Sequence, residues 1–152
     1  MNALQILIAF LGRVCISAIF ILAAVSKFFN WAGTQQMLTT SLNDLMTLQG
    51  GSEIIRGLVE RALPWAPSLL IIGVIVELLG GLLVFLGIKV RFGAFILILF
   101  LIPTTLIVHG FWSLPVEEKS INMVLFMKNM SILGGLLVVL AMGRGKAVSK
   151  SD

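Results

Sequence analysis

The chain has one cysteine, one histidine and no tyrosine in 152 residues, and only 12% of it is charged. A lone cysteine, Cys15, excludes an internal disulfide and the Cys-x-x-Cys chemistry of a thiol oxidoreductase. A single histidine cannot supply bis-histidine haem ligation, and no His/Cys/Asp cluster has the spacing of a metal site. Neither a Gly-x-Gly-x-x-Gly run nor a P-loop is present, so no bound nucleotide is expected. The methionines are dispersed and form no copper-binding array. Lys and Arg outnumber Asp and Glu by 11 to 7, but they are scattered, without the basic groove and stacking platform of a nucleic-acid binder. Nucleic acid is excluded as a partner.

What remains is apolar bulk. Residues of the AVILMFWYC set make up 59% of the chain, and mean hydropathy is +1.08. Soluble domains run at about 45–50% apolar and about 25% charged. A helix crosses a bilayer in about 20 residues, so the length suits four crossings and no separate water-soluble domain. Four apolar stretches stand out, at about 3–29, 66–88, 92–112 and 121–142. Ala24-Val25-Ser26 has the small residues of a signal-peptide cleavage site. No positive charge precedes the opening run from Leu4 to Leu11, however, and we read the first stretch as a retained span.

Connections set the expected orientation. Lys89, Arg91, Arg144, Lys146 and Lys150 lie on one side, against Arg56, Arg61 and Lys119 on the other. Five against three places both termini in the cytoplasm. Trp31, Trp65 and Trp112 then share the external interface as anchors. Within the long connection from Asn30 to Trp65, the run Ser52 to Leu63 has apolar residues at helical spacing, Arg56 and Glu60 four apart, Ser52 as N-cap and Pro64 after it. It predicts a short amphipathic helix in the first external loop, preceded by a turn or hinge at Gln49-Gly50-Gly51.

The informative residues are ionisable ones inside the spans, where a charge costs about 2.5–3.5 kcal/mol even on the lenient insertion scale. At about 100° per residue, Arg13, Ser17, Phe20, Ala24 and Lys27 share one face of the first span. Gly73, Glu77, Gly80, Val84 and Gly87 form a stripe on the second, with glycine at every seventh position. Thr105 and His109 are one turn apart on the third, and Lys128, Ser131 and Gly135 share a face of the fourth. Glycine lets backbones approach closely, with Gly80-Gly81 and Gly134-Gly135 as helix-contact points. The pattern predicts a bundle around a polar centre holding three positives, Arg13, Lys27 and Lys128, against Glu77, with His109 able to go either way. Arg13 is the expected partner of Glu77, both lying near mid-depth. For Lys27 and Lys128 the alternative is snorkelling to the head groups, and for the Arg13–Glu77 pair it is a purely structural lock.

These residues carry a resemblance. Gly12-Arg13 with an apolar run to Lys27, Glu77-Leu78-Leu79-Gly80-Gly81 with Leu86-Gly87 and Arg91, His109, and Lys128-Asn129 with Gly134-Gly135 resemble, in order, the DoxX family of small bacterial membrane proteins. The resemblance implies a single all-α domain, a four-transmembrane-helix bundle of the bacterial inner membrane. It also implies a link to quinone-coupled sulfur oxidation, as a subunit of a thiosulfate:quinone oxidoreductase, or to oxidoreductase complexes of oxidative-stress defence. Its pattern positions are Arg13, Lys27, Glu77, His109, Lys128 and Asn129.

The expectation is an accessory subunit of an oxidoreductase system binding a quinone or another small polar or anionic ligand. Glu77 and His109 would handle protons, and Arg13, Lys27, Lys128 and Asn129 would hold the ligand. No cofactor is built in and no metal is expected. The partners implied are the bilayer, a redox protein and a second copy of the chain. Two other readings stay open, a transporter or lipid-handling protein for an anionic solute and a membrane scaffold without catalysis.

Overall fold

The architecture follows from apolar runs too long for a soluble core and too sparsely broken to fold otherwise. In the computed structural model, which describes residues 3–47, 53–114 and 116–143, six α-helices and two short 3-10 turns account for nearly all of the chain, and no strand occurs among the described residues. Four helices cross: α1 (Ala3–Phe29), α4 (Ala66–Leu86), α5 (Val90–Val108) and α6 (Val116–Met142). The protein is an all-α integral membrane bundle. The spans match the sequence expectation with shifted ends. α4 stops at Leu86 because Gly87 takes a left-handed C-cap (φ 73°). α5 ends at Val108, before the irregular His109-Gly110. α6 starts earlier than expected, at Val116, with Glu117 and Glu118 in its first turn, where carboxylates favour the helix dipole.

The crossings run up and down in chain order, with α1 packed on α4, α4 on α5 and α5 on α6. Glycines set the close approaches. A Cβ on Gly80 would sit 2.7 Å from Leu97 Cγ, and one on Gly93 would sit 3.1 Å from the Gly80 carbonyl oxygen. Gly81 meets Ile21 in the same way and Gly135 meets Ile16, whereas Gly134 faces open space and is no helix contact. Phe20, Val84, Ala94, Leu97, Leu101 and Leu136 form the core of the bundle. The many exposed Leu, Ile and Phe side chains outside it face hydrocarbon.

The far end of the bundle, opposite the two described termini, carries an unexpected helix. α2 (Trp31–Thr47) follows α1 after Asn30 alone, where the sequence reading had only a connection. Leu42 is its buried anchor and packs with Leu38, Leu45 and Met46 against Val59, Ala66 and Ile107. α3 (Glu53–Ala62) is the expected amphipathic helix, burying Val59. The proposed hinge at Gln49-Gly50-Gly51, the Ser52 cap and the basic tail residues Arg144, Lys146 and Lys150 lie outside the described residues. Trp31, Trp65 and Trp112 all sit at this far end, in α2 and the two 3-10 turns, as a shared interface requires.

Candidate functional site

Three polar layers stack from the middle of the bundle to its far end. The innermost is an ion pair. Lys27, near the end of α1, donates from Nζ to Glu77 Oε2 at 2.5 Å. Glu77 lies about halfway along α4, its side chain only 4% exposed against 25% for Lys27. The ammonium also stands 5.5 Å from the centre of the Phe100 ring, a cation–π placement. An ammonium has three donors, so the carboxylate leaves capacity for a second acceptor.

The expected Arg13–Glu77 pair does not form. Phe20 and Ile21 lie against Gly81, and α1 and α4 are antiparallel. Seven residues toward the N-terminus from Phe20 is Arg13, and seven toward the C-terminus from Gly81 is Ile88. Arg13 is therefore level with the α4–α5 turn, about 16 Å along the axis from Glu77 at 1.5 Å per residue. Equal position within two spans is not equal depth when one helix starts earlier. Lys27 reaches Glu77 because its stem spans the remaining half-turn, which turns it inward instead of toward the head groups.

The second layer joins α5 to α6. Thr105 is buried and donates to the Leu101 carbonyl at 2.7 Å, which leaves its oxygen to accept from Asn129 Nδ2 at 3.1 Å. Asn129 is thus the inward residue of its pair. Lys128 is exposed, and so is Ser131. The expected inward face of Lys128, Ser131 and Gly135 is corrected to one built on Asn129, Leu136 and Gly135, since the α6 seam runs a residue away from the predicted stripe.

The third layer is a cleft of about 450 Å³ between α2, the end of α5 and the start of α6. Gln36, Thr40, Asp44, His109, Glu118 and Asn122 give it its polar lining. His109 follows the last residue of α5, and its Nδ1 is buried with no hydrogen-bond partner among the described residues. Burial holds the imidazole below its ordinary value of 6.5, a hydrogen bond with Asn122 opposes this, and the Lys128 and Lys27 ammoniums reinforce it. The ring is neutral at pH 7, with one nitrogen donating and one accepting.

The structure therefore pairs Lys27 with Glu77, joins Asn129 to Thr105, sets His109 at the cleft, and leaves Arg13 and Lys128 outside these three layers. Sequence reasoning missed Phe100, Asn122, Glu118 and the α2 lining. The repeat Leu38, Leu42, Leu45 at helical spacing was the available signal for α2. Among the described residues no group of three or more His, Cys, Asp or Glu side chains is placed to hold a metal.

Comparison with known proteins agrees with this architecture. The DoxX family model matches residues 8–110, about two thirds of the chain. The chain is 25% identical over 135 residues to Inner membrane protein YphA of Escherichia coli (strain K12), covering 89% of this chain and 82% of that protein. No solved structure matches.

Proposed function

The chain belongs to the DoxX family, and from that premise we propose that it is an inner-membrane accessory subunit of an oxidoreductase system. In this reading it holds a quinone, or a small polar ligand of like chemistry, along the track from the far cleft to the Lys27–Glu77 pair. Its relative YphA is by name an inner membrane protein, and four apolar crossings suit the same location. The basic bias of the turn side puts both termini in the cytoplasm and opens the cleft to the outside.

The observation that carries the reading is the buried, hydrogen-bonded Lys27–Glu77 pair at mid-depth, in a bundle that also holds the Thr105–Asn129 hydrogen bond and the His109 cleft toward its far end. The residues suit a flat dicarbonyl head group. Spare N–H donors on Lys27 and the single ring N–H of neutral His109 suit carbonyl oxygens, Phe100 offers a face for stacking, and the lipid-facing helices accommodate an apolar tail. A bound quinone would supply the electron-accepting chemistry. The chain's own part is to orient the head group, exclude water and hold a proton at the Glu77 carboxylate or on His109. Asp44 and Glu118 at the cleft carry negative charge where a ligand enters, which favours a neutral ligand over an anionic solute.

The test is binding of a short-chain quinone to the protein in nanodiscs. Loss of one hydrogen bond from a charged donor costs about 1.5–3 kcal/mol, or roughly 10- to 100-fold in Kd. Lys27→Met should weaken binding by such a factor, Asn129→Ala, which removes a neutral donor, by about 0.5–1.5 kcal/mol or roughly 2- to 10-fold, Lys27→Arg should restore part of the loss, and the remote Lys119→Gln should change nothing. Saturable binding that is equal in all four variants refutes the site.

A further inference from the structure

Lys128 lies outside the three layers, and its charge needs its own explanation. It is the thirteenth of the 27 residues of α6, close to mid-depth, and it is exposed. Outside the bundle at that depth lies hydrocarbon, where a charge is costly. Among the described residues it has no ion pair. Snorkelling falls short. Lys119, in the first turn of α6, stands at the head-group level, nine residues or about 13 Å nearer the far end. A lysine stem reaches about 6 Å, less than half of that distance.

Register shows which way the side chain faces. Gly135 packs against Ile16 of α1. From Gly135 toward the far end, Ser131, Lys128, Val124 and Ile121 follow at intervals of four, three, four and three, so they share the face that meets α1. All four are exposed, Val124 at 67% and Ile121 at 65%. α1 and α6 therefore part beyond the Ile16–Gly135 contact and leave a seam open to the bilayer. Lys27 lies on the matching face of α1, eleven residues beyond Ile16, but Glu77 neutralises it. The surplus charge in the seam is that of Lys128.

Whatever fills the seam must be apolar along its length and negative at mid-depth. Lipid phosphates stand too far toward the surface. Val124 and Ile121 offer no partners to hold water, and the Ser131 hydroxyl donates to the Met127 carbonyl at 3.1 Å. A second copy of the chain has no suitable acid among the described residues. Asp44, Glu53, Glu60, Glu117 and Glu118 belong to the far-end helices and the start of α6, and Glu77 is buried and held by Lys27. A transmembrane helix of a different protein meets both requirements, with apolar sides and one carboxylate near its middle. Ser131 and Gly134 leave room for its backbone, since a Cβ on Gly134 would meet nothing within 4 Å.

We propose that the seam between the far halves of α1 and α6 docks a transmembrane helix of a partner membrane protein, whose mid-depth aspartate or glutamate pairs with Lys128.

Fluorescence energy transfer in liposomes tests this, between the full chain labelled at its exposed Cys15 and synthetic transmembrane peptides. The probe is a leucine–alanine helix of about 20 residues with a central glutamate, and the controls carry glutamine or lysine at that place. The glutamate peptide should associate saturably and about tenfold more tightly than the glutamine peptide. Lys128→Met should remove that preference, Lys128→Glu should transfer it to the lysine peptide, and Lys119→Gln should leave it unchanged. Gly134→Ile, which fills the approach and touches no core residue, should weaken the association with the charge intact. Equal association of the glutamate and glutamine peptides with the wild type, or a glutamate preference that survives Lys128→Met, overturns the docking site. If the charge-reversed variant does not fold, Lys128→Met decides the matter. No quinone enters the experiment, so its failure and a failure of quinone binding are separate results.

Discussion

Replacing Lys27 by methionine and Glu77 by glutamine separately should damage the protein unequally, and the inequality reads out the depth of the pair. Lys27→Met strands a carboxylate whose side chain is 4% exposed on a short stem near the middle of α4. Breaking a buried pair in this way costs about 3–5 kcal/mol. Glu77→Gln strands an ammonium that is already 25% exposed, stands beside the Phe100 ring and sits near the far end of α1. Its long stem can carry the charge to the head groups, so the cost should fall to about 1–2 kcal/mol, near the worth of the lost charged hydrogen bond. Replacing both by apolar residues of similar volume should return stability to within about 1 kcal/mol of the wild type, yet abolish ligand binding. Equilibrium unfolding in mixed micelles, followed by circular dichroism, measures all three. Equal single-variant costs, or a larger cost for Glu77→Gln, would refute the assigned depth and geometry.

Other consequences are local. Gly80→Ala places a methyl 2.7 Å from Leu97 Cγ and should destabilise by about 1–3 kcal/mol, while Gly134→Ala, facing open space, should be neutral or slightly stabilising in the same assay. His109 gives a pH signature. Its folded-state value lies below 6.5, so as pH falls through the unfolded value the unfolded chain takes up the proton first, and stability drops until the folded ring also protonates. The thermal midpoint should therefore be lower at pH 5.5 than at pH 7.5, and His109→Gln should remove that part of the difference. Thr105→Val deletes the acceptor of Asn129 in a buried layer and should cost about 1–3 kcal/mol, measurable by the same unfolding series.

Much of the bundle was legible because hydrocarbon imposes a coarse rule, about 20 apolar residues per crossing, and the chain obeys it four times. The stripes on α1 and α4 were legible too. Ser17, Phe20 and Ala24, and Glu77, Gly80 and Val84, are buried as their spacing required. What periodicity cannot give is relative height. It put Arg13 and Glu77 together because both sit mid-segment, whereas the contact of Phe20 and Ile21 with Gly81 sets the register and brings Lys27 to the carboxylate. On α6 the apolar character continues almost all round, so no stripe distinguished Lys128 from Asn129, and the buried Thr105 hydroxyl chose the amide. α2 was hidden for the opposite reason. Its threonines and amides read as a loop, and it is held by Leu42 and its neighbours packing on α3 and α5, contacts no local pattern reveals.

The central claim is that a polar ligand enters the far cleft and reaches the Lys27–Glu77 pair. Photo-crosslinking with a quinone bearing an azide on its ring, followed by peptide mapping, tests it most directly. Saturable labelling of the segment from Phe100 to His109 and of α6 around Asn122–Asn129, lost in the apolar double variant at Lys27 and Glu77, is the predicted result. Labelling confined to other segments, or labelling that the double variant leaves intact, would contradict it.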